Sequence, residues 1–536
     1  MAKQRIAAFG VLLAAATSGA AETVLDPYYD VDWDTVTYVH SFTHQHVSAN
    51  RLQMMHNMGY GHLPVSNYYP SKPLYPFPEE FRRAHPEVLG APNAEQHSTT
   101  DSPLHFNAVG SYYTTGYGET PRVQRDRSPI EYAFKGLHVF DPANEPWRGI
   151  YRLDLSFAAV AGAGAEASVR LTVDGARQVS YKNFSEPPDG GIVSDRVLTL
   201  TSARSLALKA LEPAIRVRIA FDPASVRITQ FRLMQGTYRP WRDAFRAALD
   251  GNARDADGRP IEGLMFPDGG GITLNHPTEP LSRVTAYLDF DPRVLGIEVW
   301  NQHVMFGGTT LEKAATMPFY TLWDEVLRTG RRCYGFFVKD HCFFGRGRNV
   351  LMMPPGGDVA SRERQALRAY RNGCFFGLIG AMSVGTDGKP VSPYDLSGFK
   401  FTRISLRREQ GRPVSLDVAV DGADTQRRPN MQIRFITDKG LAQVMDGGSA
   451  TFVLPRAADG SIACRYVRAE AFAYPNTHSG GQALSPAAFS ALNVFQIARL
   501  HDMRGDSGGV VYMDGDAGTP LGVVDMLFSQ PILFVK

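Results

Sequence analysis

The sequence predicts an α/β protein interrupted by β-rich segments, on three observations. Strand-like pieces ("GITLNHP", "VLGIEVWN", "CYGFFVKDH") alternate with helix-like ones ("FYTLWDEVLRTG", "SRERQALRAYRNG") between residues 261 and 395. Such alternation is the pattern of an α/β barrel or layered sheet. Residues 120 to 236 instead alternate apolar and polar positions ("IYRLDLSF", "ASVRLTVDG", "AIRVRIAF"), the period of half-buried strands. After 396 the chain is strand-rich again ("FKFTRISLRR", "PVSLDVAVDG", "MQIRFITDKG").

In chain order, Lys3 and Arg5 precede a short apolar stretch, "IAAFGVLLAAATSGA", and small residues stand before Glu22. This is the layout of a secretory signal peptide over 1–21, so the mature chain is expected to be periplasmic or secreted. No other run approaches ~18 apolar residues, and stable membrane insertion is not expected. Residues 22–118 read as the first α/β part, with short apolar runs between loops rich in His, Tyr and Pro. The prolines of "NYYPSKPLYPFPEEF" forbid a long helix there. Residues 119–259 read as an inserted β-sandwich, 260–395 as the second α/β part and 396–536 as a C-terminal β domain. At roughly 150 residues per domain, 536 residues allow two to four such units.

Charge and cysteines exclude some classes. Fifty-six Lys+Arg against 54 Asp+Glu give a net charge of +2, which makes no case for a nucleic-acid partner. The four cysteines, Cys333, Cys342, Cys374 and Cys464, are too few for a disulfide scaffold and lack zinc-ribbon spacing.

The histidines carry the chemistry. In "HSFTHQHVS", His44 and His46 are two apart, so on extended chain they share a face. Two converging imidazoles are what a divalent metal needs. "PNAEQHS" adds Glu95, a carboxylate able to bridge two ions, and "SPLHFNAVGS" adds His105. "GGGITLNHP" places His276 where the chain leaves an apolar strand, and "YGFFVKDHCFF" ends another with Asp340 and His341. In α/β barrels active sites collect at such strand ends.

The order H-x-H, then Glu followed by His, then "NHP", then a strand ending in Asp and His resembles the PHP (polymerase and histidinol phosphatase) family. "GIEVWN" and "ERQALRAYRNGCFFG" are similar to its later segments. The likeness covers roughly residues 35–118 and 260–380. It implies a distorted (βα)7 barrel, divalent metal (zinc, manganese or iron) and hydrolysis, chiefly of phosphoesters, with a carbaryl-hydrolase-like branch acting on other esters. Carried over, the metal ligands are His44, His46, Glu95, His105, His276, Asp340 and His341, with Glu95 and Asp340 as catalytic carboxylates.

Two positions depart from that pattern. Asn67 and Tyr68 stand where an Asp-His pair is usual, and Lys339, Asp340 and His341 stand where Asp-x-His is usual. Each change removes a ligand or a negative charge, so one or two ions are expected rather than three. Candidate substrate contacts, chosen by nearness to the ligands in sequence, are Tyr68, Lys72, His97, Asn107 and Lys339.

The expectation is therefore an exported hydrolase that uses metal-activated water on a small-molecule or glycan-derived ester, phosphoesters first. The alternatives are hydrolysis of glycan-linked or carboxylic esters and a non-catalytic glycan-binding protein with a degenerate metal site. "RGDSGG" around Ser507 resembles a serine-protease nucleophile loop. The histidine context which that chemistry needs is absent from the sequence, and the residues also suit a turn.

Overall fold

The computed structural model describes residues 23–47, 49–68, 74–96, 99, 101–112, 117–141, 149–161, 167–179, 197–235, 240–251, 263–301, 318–340, 347–380, 398–423, 425–426, 428–477, 483–502 and 524–535. The expected signal peptide and the Ser507 turn lie outside these residues.

Three short runs of mostly apolar residues build the part of the fold that matters most. Gly271–Asn275, Val294–Asn301 and Tyr334–Val338 are buried along their whole length and pair in parallel. Parallel neighbours require crossover connections. The helices Leu281–Leu288 and Pro318–Arg328 lie in those connections. Val284 and Tyr287 from the first, and Trp323, Val326 and Leu327 from the second, are buried in the same core as the strands.

Beyond Gly271–Asn275 the direction reverses. His105–Val109 runs antiparallel to it and to Ala94–Gln96, and Asn67–Tyr68 closes the six-stranded sheet. The reversal sets His105, the first residue of its strand, opposite Asn275, the last residue of the neighbouring one.

A nine-stranded sheet draws on distant parts of the chain. Thr37–Ser41, Gly347–Met353 and Phe375–Ile379 continue into Asp525–Ser529, Tyr466–Tyr474, Ile532–Val535 and Thr23–Leu25, every pairing antiparallel. Asn430–Thr437 and Gly440–Asp446 branch from it. Strands from both sides of residue 396 thus share one sheet. Residues 117–235 form two antiparallel sheets of five and four strands. Leu153, Leu155 and Leu208 of one meet Leu171, Ile215 and Val217 of the other in a single core.

This corrects the expected fold class. A distorted (βα)7 barrel is not what the chain forms, because strands take 45% of the described residues and helices only 18%. The described strands fall into six sheets. A barrel needs a helix for each parallel crossover, whereas most pairings here are antiparallel and need none.

The strand that carries Glu298 is held tightly by its neighbour. A Cβ added at Gly296 would collide with the backbone oxygen and nitrogen of Tyr334 on the adjacent strand. Gly296→Ala is therefore expected to lower stability by about 1–3 kcal/mol through overpacking, measured by chemical denaturation. An unchanged unfolding midpoint would show that the two strands separate without cost.

Candidate metal centre

The histidine pair lies just past the end of Thr37–Ser41, where regular pairing on that strand stops. Its backbone is pinned instead to the segment after Tyr334–Val338. The His46 N–H donates to the Asp340 oxygen, and the Asp340 N–H donates to the His44 oxygen, both at 3.1 Å. The Gln45 side chain adds a bond to the same Asp340 oxygen at 2.8 Å. These bonds place residues 44 and 46 beside Asp340, although the sequence separates them by almost 300 positions.

The ligand atoms converge closely. His44 Nε2 lies 3.0 Å from His46 Nε2, 3.4 Å from Glu95 Oε2 and 3.2 Å from Asp340 Oδ1. His46 Nε2 lies 3.1 Å from the same Glu95 oxygen and 3.5 Å from the same Asp340 oxygen. His44 and His46 thus form a close triad with the Asp340 oxygen and another with the Glu95 oxygen. Imidazole nitrogens and carboxylate oxygens so gathered are the ligand types of zinc. The donor set therefore fits a divalent ion.

Glu95 turns its other oxygen to a second group. Oε1 lies 3.1 Å from His105 Nδ1, 3.4 Å from His276 Nε2 and 3.3 Å from Asn275 Nδ2. One carboxylate thus faces His44 and His46, which also meet Asp340, with one oxygen and His105 and His276 with the other. The first group is almost fully buried, while the His105 side chain is 38% exposed and that of His276 22%. Solvent reaches the site from that side.

Supporting residues fix the ligands. Glu298, fully buried, accepts from His44 Nδ1 at 2.7 Å with one oxygen. Its other oxygen accepts from the His276 N–H at 2.7 Å and from Asn301 Nδ2 at 2.8 Å. With Nδ1 protonated, His44 presents the Nε2 lone pair to the cluster. Asn107 bonds Ser66 and Asn93 and accepts from Asn275, which also reaches Glu95.

Electrostatics concentrate negative charge here. Burial opposes a proton on His44, but the carboxylates of Asp340, Glu95 and Glu298 outweigh it and hold its pKa well above the usual imidazole range. Burial likewise opposes charge on Glu95, yet the surrounding imidazoles, His44 first, keep its carboxyl well below the usual value. The backbone is strained at the same place. His276 has φ 26° and Asp340 φ 53°, two of the three positive-φ non-glycine residues described. Such conformations cost of order 1–3 kcal/mol each and cluster at functional sites.

His44, His46, Glu95, His105, His276 and Asp340, all singled out in the sequence, meet in one place. The question at residues 339 and 340 is resolved by side-chain direction. Asp340 faces the ligands, whereas the Lys339 ammonium lies over the Tyr60 ring, 4.4 Å from its centroid. Lys339 is fully buried and is corrected from a substrate contact to an interior residue. Asn107 is corrected in the same way, since it is fully buried and holds neighbouring amides and Ser66. Tyr68 is described only as strand backbone, and Lys72, His97 and His341 lie outside the described residues. Sequence reasoning missed the role of Glu298. Its signal was a glutamate inside the apolar run "VLGIEVW", where an unpaired charge would be costly.

Both oxygens of Glu298 accept hydrogen bonds, so an amide would turn an NH2 toward one of its donors. Glu298→Gln is expected to weaken metal binding by about 10–100-fold, measured by competition with a chelator. Unchanged affinity would remove Glu298 from the support of His44.

No protein-family model and no curated protein matches the chain. Among solved structures, a cycloisomaltooligosaccharide glucanotransferase from Paenibacillus sp., complexed with cycloisomaltoheptaose, aligns at 9% identity and a TM-score of 0.13. The alignment covers 76% of this chain and 48% of that one, about half its length. At that score the likeness carries no argument.

Proposed function

We propose that the chain is an exported metal-dependent hydrolase that binds up to two divalent ions, zinc, manganese or iron, and acts on small esters, phosphoesters first. The observation that carries this reading is the convergence of Glu95 and Asp340 on His44 and His46, with His105 and His276 facing the second oxygen of Glu95. A bound divalent ion supplies Lewis acidity and lowers the pKa of water to about 7. The chain's own groups do the rest. Glu298 holds His44 in its ligating tautomer, and Asn275 donates to the bridging carboxylate. Asn301 lies 3.3 Å from the second oxygen of Asp340, which leaves the first to the ligand cluster. The exposed edge at His105 and His276 admits the substrate.

A site of this layout suits a phosphoryl group, because paired ions at ~3.5–4 Å stabilise both the attacking and the leaving oxygen. The deciding experiment combines elemental analysis with a screen of phosphomonoesters, phosphodiesters and aryl esters in added zinc or manganese. Metal-dependent turnover of a phosphoester supports the reading. Turnover of aryl esters alone moves the substrate class to carboxylic esters. Protein that takes up no metal at these ligands overturns it. Among the described residues no helix is long and apolar enough to cross a membrane.

A further inference from the structure

We propose that His56, His85 and Glu87 form a peripheral site for a divalent transition-metal ion, distinct in its residues from the centre around Glu95. His56 sits in the last turn of the helix Leu52–Asn57, and His85 ends the helix Glu79–Ala84. The Glu87 Oε1 atom lies 3.6 Å from His56 Nε2 and 3.8 Å from His85 Nδ1. The three ligand atoms all fall within 4.8 Å of one another. At a bond length of about 2.1 Å, separations of 3.6–3.8 Å subtend about 120–130° at a central ion. That is slightly wider than tetrahedral and leaves a position for water. Two imidazoles and one carboxylate suit zinc, nickel or copper rather than magnesium or calcium.

A second observation concerns the tautomer of His85. The Gln53 Nε2 donates to Asn57 Oδ1 at 2.8 Å, which turns Gln53 Oε1 toward His85 Nε2 at 2.5 Å. An amide oxygen only accepts, so Nε2 carries a proton and Nδ1 is the nitrogen turned to Glu87. In the proposed site the ion takes the place of a second ring proton between Nδ1 and the carboxylate oxygen, which lie 3.8 Å apart. The ring itself is fixed, packed against Phe81 at 5.0 Å between centroids. The His56 and His85 rings lie 4.2 Å apart, both beside Glu87. A bound ion ties together the two helices that bracket residues 58–78.

The test compares zinc bound per full-length chain in wild type and in His56→Ala/His85→Ala, by equilibrium dialysis at low free zinc. The expected difference is one ion per chain. Because it is read as a difference, it holds whether the Glu95 centre takes no ion, one or two. Gln53→Ala should weaken the same site about tenfold by freeing the His85 tautomer, with an unchanged unfolding midpoint in chelator. Glu87→Gln provides a second ligand variant should the double one fail to fold, with the same one-ion loss expected. Equal zinc content in wild type and either ligand variant overturns the proposal, as does calcium binding as tight as zinc.

Discussion

His44→Ala combined with His46→Ala is expected to strip the metal and abolish hydrolysis. The loss should exceed the roughly 100-fold that removal of a supporting residue costs. Two ligands shared by Glu95 and Asp340 disappear together, and no described neighbour replaces them. The fold should survive, because both residues are anchored by their backbones. The His46 N–H to Asp340 oxygen bond and the Asp340 N–H to His44 oxygen bond do not involve the rings. The space left is lined by Glu95, Asp340 and Glu298, polar enough to hold water. Metal content, activity and far-ultraviolet circular dichroism on one preparation decide the matter. A variant that keeps its metal shows that the ligands lie elsewhere, and one that loses its helices and strands shows that the rings support the fold.

The ligands were legible because residue type and local spacing nearly determine them. His44 and His46 are two residues apart, Glu95 lies within a three-residue strand, His105 opens one, and His276 follows the end of another. Nothing in those strings required a barrel. The expectation of one came from the resemblance to the PHP family, with the alternation of strands and helices in residues 261–395 in support, and that alternation is real over Gly271–Asn275, Val294–Asn301 and Tyr334–Val338. What local pattern cannot reveal is which strand edge meets which. His105–Val109 pairs antiparallel with a strand over 160 residues away. Gly347–Met353 and Phe375–Ile379 join strands from beyond residue 430. Such choices depend on long-range packing, such as Phe337 stacked on Phe528 at 5.0 Å, and on no local periodicity. Lys339 and Asn107 were misjudged for a related reason. Nearness to a ligand in sequence does not say which way a side chain turns, and one-residue steps along extended chain reverse it.

Glu95→Gln is expected to have an effect as large as the histidine pair, but through both ion positions at once. Its two oxygens face different groups, Oε2 toward His44 and His46 and Oε1 toward His105 and His276. A glutamine at that place keeps the size but loses the negative charge, and it offers one acceptor where two are needed. Its NH2 would face imidazole lone pairs on one side, so one ion loses a ligand outright. Two dications about 3.5–4 Å apart repel each other strongly, and a shared carboxylate is the main local charge that offsets this. With it neutralised, the second ion should also bind far more weakly. Elemental analysis after reloading should therefore find at most one ion per chain in Glu95→Gln, with activity reduced as far as in the His44→Ala/His46→Ala variant. His105→Ala provides the contrast. It removes only one ligand of the exposed group, so the ion held by His44, His46 and Asp340 should remain. If Glu95→Gln binds as much metal as the wild type and retains its rate, Glu95 does not bridge. The two histidine groups would then belong to independent sites.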